Sequence, residues 1–225
     1  MKTPGIKYAL IMAAGRGSRM MPLTTTIPKA MAPYGGSTLI ARGIDKVRQH
    51  VQSVYVTVGY KGAILAEHVI NYGVSGLFDT SGRDNAWWIF GTLMRELDEP
   101  VFVLTCDNIT SLDFELIESD YFFLGSPCCM VIPVTPISGL EGDYIHHEKN
   151  LVHSINRNAT APTYCSGIQI INPKKINQMI SPTENFYEVW SQLIKIQQLY
   201  CSNILPQHWY AADTLEQLNN VPTGH

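Results

Sequence analysis

Apolar and polar positions alternate in two rhythms along the first hundred residues. Residues 8–12, Tyr-Ala-Leu-Ile-Met, form a short apolar run ended by a glycine loop, the pattern of a buried strand. Ser37 can cap a helix whose apolar positions Ile40, Ile44, Val47 and Val51 recur at helical spacing. Residues 54–58 are β-branched and predict a second strand. Residues 62–71 predict a helix, 74–78 a strand, 86–97 a helix and 101–105 a further buried strand that ends on Cys106, Asp107 and Asn108. Strand alternating with helix implies an α/β fold: a Rossmann-like, mostly parallel mixed sheet with helices on both faces. Ligands collect at the carboxyl ends of the strands in such sheets. The Gly15–Gly17 loop and Asp107 both follow apolar strands, so they are expected at one edge of the sheet.

The second half is less regular. Residues 128–134 predict a strand, 143–155 a hairpin turning at Asn150, and 166–171 another strand. Residues 184–200 predict an amphipathic helix with Phe186, Val189, Trp190, Leu193 and Ile196 on one side. Residues 214–219 predict a short closing helix. The 225 residues show no repeat and no evident linker, so one domain is expected over residues 1–221, with 222–225 as a tail.

Composition narrows the function classes. Hydrophobic residues make up 45% and charged residues 16%, which is ordinary for a globular chain. A formal net charge of -3 argues against a nucleic-acid partner, which calls for a basic excess. Five cysteines without a CxxC spacing are expected as reduced thiols in the cytoplasm. No stretch approaches the roughly 20 apolar residues of a membrane span, so no membrane insertion is expected. The chain's oligomeric state stays open, a homo-oligomer included.

The loop after the first strand carries the chemistry. It reads Ala13-Ala14-Gly15-Arg16-Gly17-Ser18-Arg19-Met20-Met21-Pro22-Leu23-Thr24, followed by Pro28-Lys29. Gly15 and Gly17 let the backbone approach a phosphate and aim its amides at oxygen. Arg19 and Lys29 supply charge for a triphosphate. A dinucleotide loop wants G-x-G-x-x-G, and here Met20 stands in the third glycine position; the Walker pattern is absent too.

The order G-x-G-x-R-x-x-P-L-T and then P-K resembles the signature of the nucleotide-sugar pyrophosphorylases, the sugar-phosphate nucleotidyltransferase family. That resemblance implies the nucleotide-diphospho-sugar transferase fold. It also implies a nucleotide-binding loop at Ala13, Ala14, Gly15, Gly17 and Ser18, with Arg19 and Lys29 as catalytic residues. Asp107 corresponds to the family's Mg²⁺ ligand. The N-terminal half is expected to hold the NTP, CTP or UTP favoured, and the C-terminal half a phosphorylated small-molecule acceptor.

The chain departs from the family in places. A second metal carboxylate is usual at the position of Ala211; here the carboxylate is Asp213, two residues on. Residues two apart share a face of a strand, so Asp213 is expected to serve the same Mg²⁺, the alternative being that Asp213 caps the helix beginning at Thr214. The phosphocholine cytidylyltransferase branch resembles this arrangement, and it shares the Asp107-Asn108 pair. Asp84 and Asn85 are candidates for base or ribose contacts. Trp87 and Trp88 are candidates for an acceptor pocket, since tryptophan faces attract quaternary ammonium; the alternative is that one of them is core. Arg157 is a candidate clamp for the acceptor phosphate or a surface arginine. His146 and His147 lack zinc-ligand spacing.

The expected function is Mg²⁺-dependent nucleotidyl transfer from an NTP to a phosphorylated small molecule, with pyrophosphate released. A sugar 1-phosphate is the first expectation for the acceptor, for surface-polysaccharide or lipid head-group assembly. Two alternatives stand beside it: a CTP-dependent phosphocholine-type cytidylyltransferase, and a catalytically silent nucleotide-binding regulator.

Overall fold

The computed structural model describes residues 5–137 and 142–221; the expected tail at 222–225 lies outside the described residues. The chain begins with β1 (Tyr8–Met12), then runs through three single 3-10 turns at Ser18–Met20, Leu23–Thr25 and Lys29–Met31. A small hairpin, β2 (Pro33–Tyr34) and β3 (Ser37–Thr38), leads into α1 (Leu39–Val47). There follow β4 (Ser53–Val58), α2 (Gly62–Ile70), β5 (Gly76–Asp79), α3 (Trp87–Gly91), β6 (Val101–Thr105), β7 (Asn108–Ser111) and α4 (Phe114–Phe123). The second half contributes β8 (Cys129–Val134), β9 (Tyr144–Glu148), β10 (Leu151–Asn156), β11 (Tyr164–Ile171) and α5 (Pro173–Met179). It closes with α6 (Phe186–Lys195), β12 (Leu199–Cys201), β13 (His208–Ala211) and α7 (Leu215–Asn219).

Nine strands form one mixed sheet in the order β5-β4-β1-β6-β11-β8-β12-β10-β9. β5, β4, β1 and β6 run parallel, and β11 joins β6 antiparallel. The unbroken apolar runs of β1 and β6 are explained by burial on both faces. Ala9, Ile11, Phe102 and Leu104 enter one core cluster, whereas Leu10, Val101 and Val103 enter the other. Met12 pairs with Thr105, so the two following loops leave the sheet side by side. The amide of Cys106 donates to the Met12 carbonyl at 3.1 Å and fixes that juxtaposition. The sheet edge expected from the sequence is therefore where the glycine loop and Asp107 meet.

A third apolar cluster positions the rest. Met20, Ala32, Leu39, Ile109, Ala212 and Leu218 pack together, tying the loop after β1 to the two-stranded sheet of β7 and β13 and to α7.

Several boundaries differ from expectation. Thr38, not Ser37, caps α1, its side chain accepting from the Ala41 amide, and Val51 lies beyond the helix. The helix expected over 86–97 breaks at Thr92, whose hydroxyl donates to the Trp88 carbonyl at 2.7 Å; a 3-10 turn follows. The helix expected to reach residue 200 ends at Lys195, because Leu199 to Cys201 pair with β8 as a strand. Sequence periodicity also missed α4 and α5. The Asn172-Pro173 start of α5 was a readable signal: Asn172 accepts from the Lys175 amide, and proline is tolerated in a first turn.

Candidate active site

Four charged side chains converge at the carboxyl edge of the sheet. Lys29 Nζ donates to Asp107 Oδ2 at 2.6 Å and to Asp213 Oδ1 at 2.8 Å. Arg19 Nη2 lies 3.0 Å from the same Asp213 oxygen. Lys29 is 8% exposed, whereas the Arg19 side chain is largely open to solvent. Burial is the largest influence on Lys29 and opposes its charge, but Asp107 and Asp213 outweigh it and raise its pKa. Burial likewise works against the Asp107 carboxylate; the Lys29 ammonium, with the Thr105 hydroxyl and a backbone amide, more than offsets it and lowers that pKa.

The local chain explains how each group arrives. Asp107 sits in the tight turn between β6 and β7, and its carbonyl accepts from the Ala212 amide at 3.0 Å. Asp213 follows β13 rather than extending it, so it does not share a strand face with Ala211. Nor does it cap α7. Thr214 does so in a reciprocal capping box with Gln217, which leaves the Asp213 carboxylate to the two cations. Asn108 braces the floor: its amide donates to the Ser166 carbonyl, and its oxygen accepts from Trp209 Nε1.

Two cavities open at this edge of the sheet, and Asp107 and Asp213 line one of them. One, about 220 Å³, is lined by Ala14, Gly15, Thr57, Asp84, Asn85 and Trp88 among others. The second, about 250 Å³, is lined by Asp107, Asp213, Ala211, Asp143, Gln169 and the aromatics Phe186, Tyr187, Trp190 and Trp209. Met12 and Asn85 border both, so the two are neighbouring chambers of one groove. A larger cavity, about 430 Å³, opens between α1 and β7 and contains neither aspartate nor the glycine loop.

The remaining expected site residues fall in different places. Gly15 has open space where a Cβ would stand and lines the first cavity. Gly17 has φ 65° and begins only a single 3-10 turn, so no extended helix end faces the site. Ala13 is buried, with its amide donating to Thr57 Oγ1 at 3.0 Å, so it serves the core. Ser18 is exposed and lines neither cavity. Asp84 is exposed on the first cavity, while the Asn85 side-chain oxygen accepts from the Phe186 amide and joins α3 to α6. Trp88 is core yet touches the first cavity; Trp87 lines neither and packs under the Arg83 guanidinium. Arg157 is bound to Asp143 at 2.9 Å and to the Tyr187 hydroxyl at the rim.

Sequence reasoning missed the aromatics of the second cavity and the segment Thr80-Ser81-Gly82-Arg83 of the first. Phe186 and Trp190 were readable only as the apolar side of a helix. Among the described residues, no helix is long and apolar enough to cross a membrane.

Comparison with known proteins identifies the family and the fold. The chain is 32% identical over 115 residues to the bifunctional protein GlmU of Methanococcus aeolicus, covering 51% of this chain and 25% of that protein. It is 24% identical over 207 residues to the mannose-1-phosphate guanyltransferase of Debaryomyces hansenii, covering 85% of this chain and 57% of that one. The chain thus spans between a quarter and somewhat over half the length of these relatives. The CTP:phosphocholine cytidylyltransferase of Streptococcus pneumoniae superposes with a TM-score of 0.75 at 20% identity, covering 95% of this chain and 96% of that chain, a likeness of fold. The model of the MobA-like NTP transferase domain matches residues 9–133, which carry the glycine loop, Lys29 and Asp107, and the chain belongs to that family.

Proposed function

We propose that this protein is a nucleotidyltransferase that joins an NTP to a phosphorylated small molecule and releases pyrophosphate. One observation carries the reading: Arg19 and Lys29 bind Asp107 and Asp213, which line one of two adjoining chambers. The chamber beside Gly15 suits the nucleoside, with Asp84 and Asn85 at its wall. The chamber beside Asp143 suits the acceptor, which assigns the nucleotide mainly to the N-terminal half of a single domain.

In this reading an oxygen of the acceptor phosphate donates its electron pair to the α-phosphorus. The bond from that phosphorus to the β-phosphate oxygen breaks, and the pair leaves with pyrophosphate. Such a step needs alignment and charge neutralisation more than covalent help. Lys29 is placed to meet charge at the α-phosphate, and Arg19 charge on the leaving group. Asp107 and Asp213 fit Mg²⁺, which binds through one or two carboxylates plus substrate phosphates. That they already share one ammonium supports the fit, since the spot between them stabilises a cation. Bound there, Mg²⁺ would neutralise phosphate charge.

A sugar 1-phosphate is the first choice of acceptor, in keeping with the names of the relatives. A second reading, phosphocholine with CTP, is favoured by Phe186, Tyr187, Trp190 and Trp209 beside Asp143 in the acceptor chamber. Burial raises the thiol of Cys201 to about 12, which suits an unreactive cysteine of a cytoplasmic protein. The decisive measurement is pyrophosphate release with ATP, CTP, GTP and UTP, each with glucose 1-phosphate, mannose 1-phosphate or phosphocholine, with and without Mg²⁺. Tight nucleotide binding without turnover in any combination would leave the silent regulator as the surviving alternative.

A further inference from the structure

Gln169 occupies a central position of β11, opposite Val103 of β6 and Val131 of β8. Its neighbours Ile168 and Ile170 enter the core cluster on the other face of the sheet. Gln169 therefore points to the face covered by α6, where Trp190 packs, and it is 1% exposed. A buried amide is costly unless both of its ends are bonded.

Among the described residues only one end is bonded. Gln169 Oε1 accepts from Trp190 Nε1 at 3.1 Å and from Cys129 Sγ at 3.5 Å. An indole N–H can only donate, so Trp190 dictates which end of the amide is oxygen. The NH₂ group is thereby fixed in direction, and among the described residues Nε2 meets no partner. Gln169 also lines the acceptor chamber, the same chamber that carries Asp107 and Asp213.

We infer that Gln169 is a specificity-determining donor, held by Trp190, that receives a neutral oxygen of the acceptor, a hydroxyl of a sugar or polyol. This rests on the transferase reading above. The acceptor's phosphate belongs beside Lys29 and the aspartates. Val103, the cross-strand partner of Gln169, precedes Asp107 by four positions on the way to the sheet edge. Gln169 thus meets the end of the acceptor remote from the phosphate. A trimethylammonium group has no lone pair to offer an N–H donor, so Gln169 selects the hydroxylated acceptor over phosphocholine. A site built to bond a hydroxyl discriminates strongly against the analogue that lacks it, because its own polar group is then left unpaired.

The test compares the wild type with Gln169→Met, which keeps length and removes the donor, and with Trp190→Phe, which keeps the amide and removes its lock. KM is measured separately for NTP and acceptor, using glucose 1-phosphate, mannose 1-phosphate, their mono-deoxy analogues and phosphocholine. Gln169→Met should raise the sugar-phosphate KM by about tenfold or more and leave the NTP KM within about twofold. One deoxy analogue should show the same loss on the wild type and no further loss on Gln169→Met. Trp190→Phe should raise the acceptor KM by about threefold or more, and it carries the test if Gln169→Met does not fold. An active wild type whose acceptor KM is unmoved in these variants overturns the inference alone, as does preference for phosphocholine over every sugar phosphate. A wild type that turns over nothing overturns the transferase reading and this inference with it.

Discussion

The backbone of Gly17 lies against the stem of Lys29: a Cβ at residue 17 would stand 2.5 Å from the Lys29 Cβ. The same glycine has φ 65°, and its carbonyl accepts from Thr24 Oγ1 at 3.0 Å. The loop and the lysine are therefore one packed unit, although separate in sequence.

Gly17→Ala meets both the left-handed backbone penalty, about 1 kcal/mol, and a clash that moves Lys29 away from the aspartates. Turnover should fall about 10²-fold while the fold survives. Gly15→Ala, with open space at its Cβ, should impair nucleotide binding more than stability. Nucleotide KM, kcat and melting curves for the pair distinguish the two roles, and a Gly17→Ala protein with full activity would contradict the packing argument.

Lys29→Met leaves Asp107 and Asp213 facing one another without their shared cation. Removing one partner of a paired, largely buried charge is destabilising, here by about 1–3 kcal/mol. Millimolar Mg²⁺ should recover part of the lost melting temperature in this variant. Asp107→Asn with Asp213→Asn should show no such recovery. Thermal melts with and without Mg²⁺ check this without any turnover, and an equal Mg²⁺ response in both proteins would refute the metal assignment.

The same triad sets a pH window. Asp107 is held below its ordinary value of 3.8, so its contribution is present above that value and is lost as pH falls through the lowered one. Lys29 is held above 10.5, so its contribution is present below that value and is lost as pH rises through the raised one. The stability difference between wild type and Lys29→Met should therefore be flat between about pH 5 and pH 10 and should shrink outside it. Denaturant titrations across that range measure the difference; a slope near neutrality would show that other groups govern it.

Arg157 holds Asp143 at the rim of the acceptor chamber, and the Tyr187 hydroxyl bonds the same carboxylate. The Arg157 side chain is 60% exposed, so Arg157→Ala should cost less than about 1 kcal/mol of stability. It should raise the acceptor KM several-fold by freeing Asp143 and leave the NTP KM unchanged. A parallel loss for both substrates would instead mean that Arg157 reaches the phosphates directly.

Much of this molecule was legible in one dimension because local periodicity and local chemistry specify it. The apolar runs of β1 and β6 and the β-branched run of β4 announced strands, since a strand between two packed faces leaves few polar positions. The Gly15–Lys29 segment announced the nucleotidyltransferase family, because the whole pattern lies within one continuous stretch of chain. The closing helix was legible too, but its cap was not: Thr214 with Gln217, rather than Asp213, caps α7.

What the sequence could not decide depended on residues far apart along the chain. Trp87 and Trp88 looked alike as neighbours, yet Trp88 is core at one chamber and Trp87 packs under Arg83. The aromatics of the acceptor chamber lie on α6 and β13, and only the sheet order brings them beside Asp107. Asp213 is separated from Lys29 by 184 residues, and the pairing of β13 with β7 carries it to the lysine. Periodicity reports which face of an element is apolar. Which elements share that face is settled by packing and by the matching of buried donors, acceptors and charges, and there Gln169 still has an N–H to place.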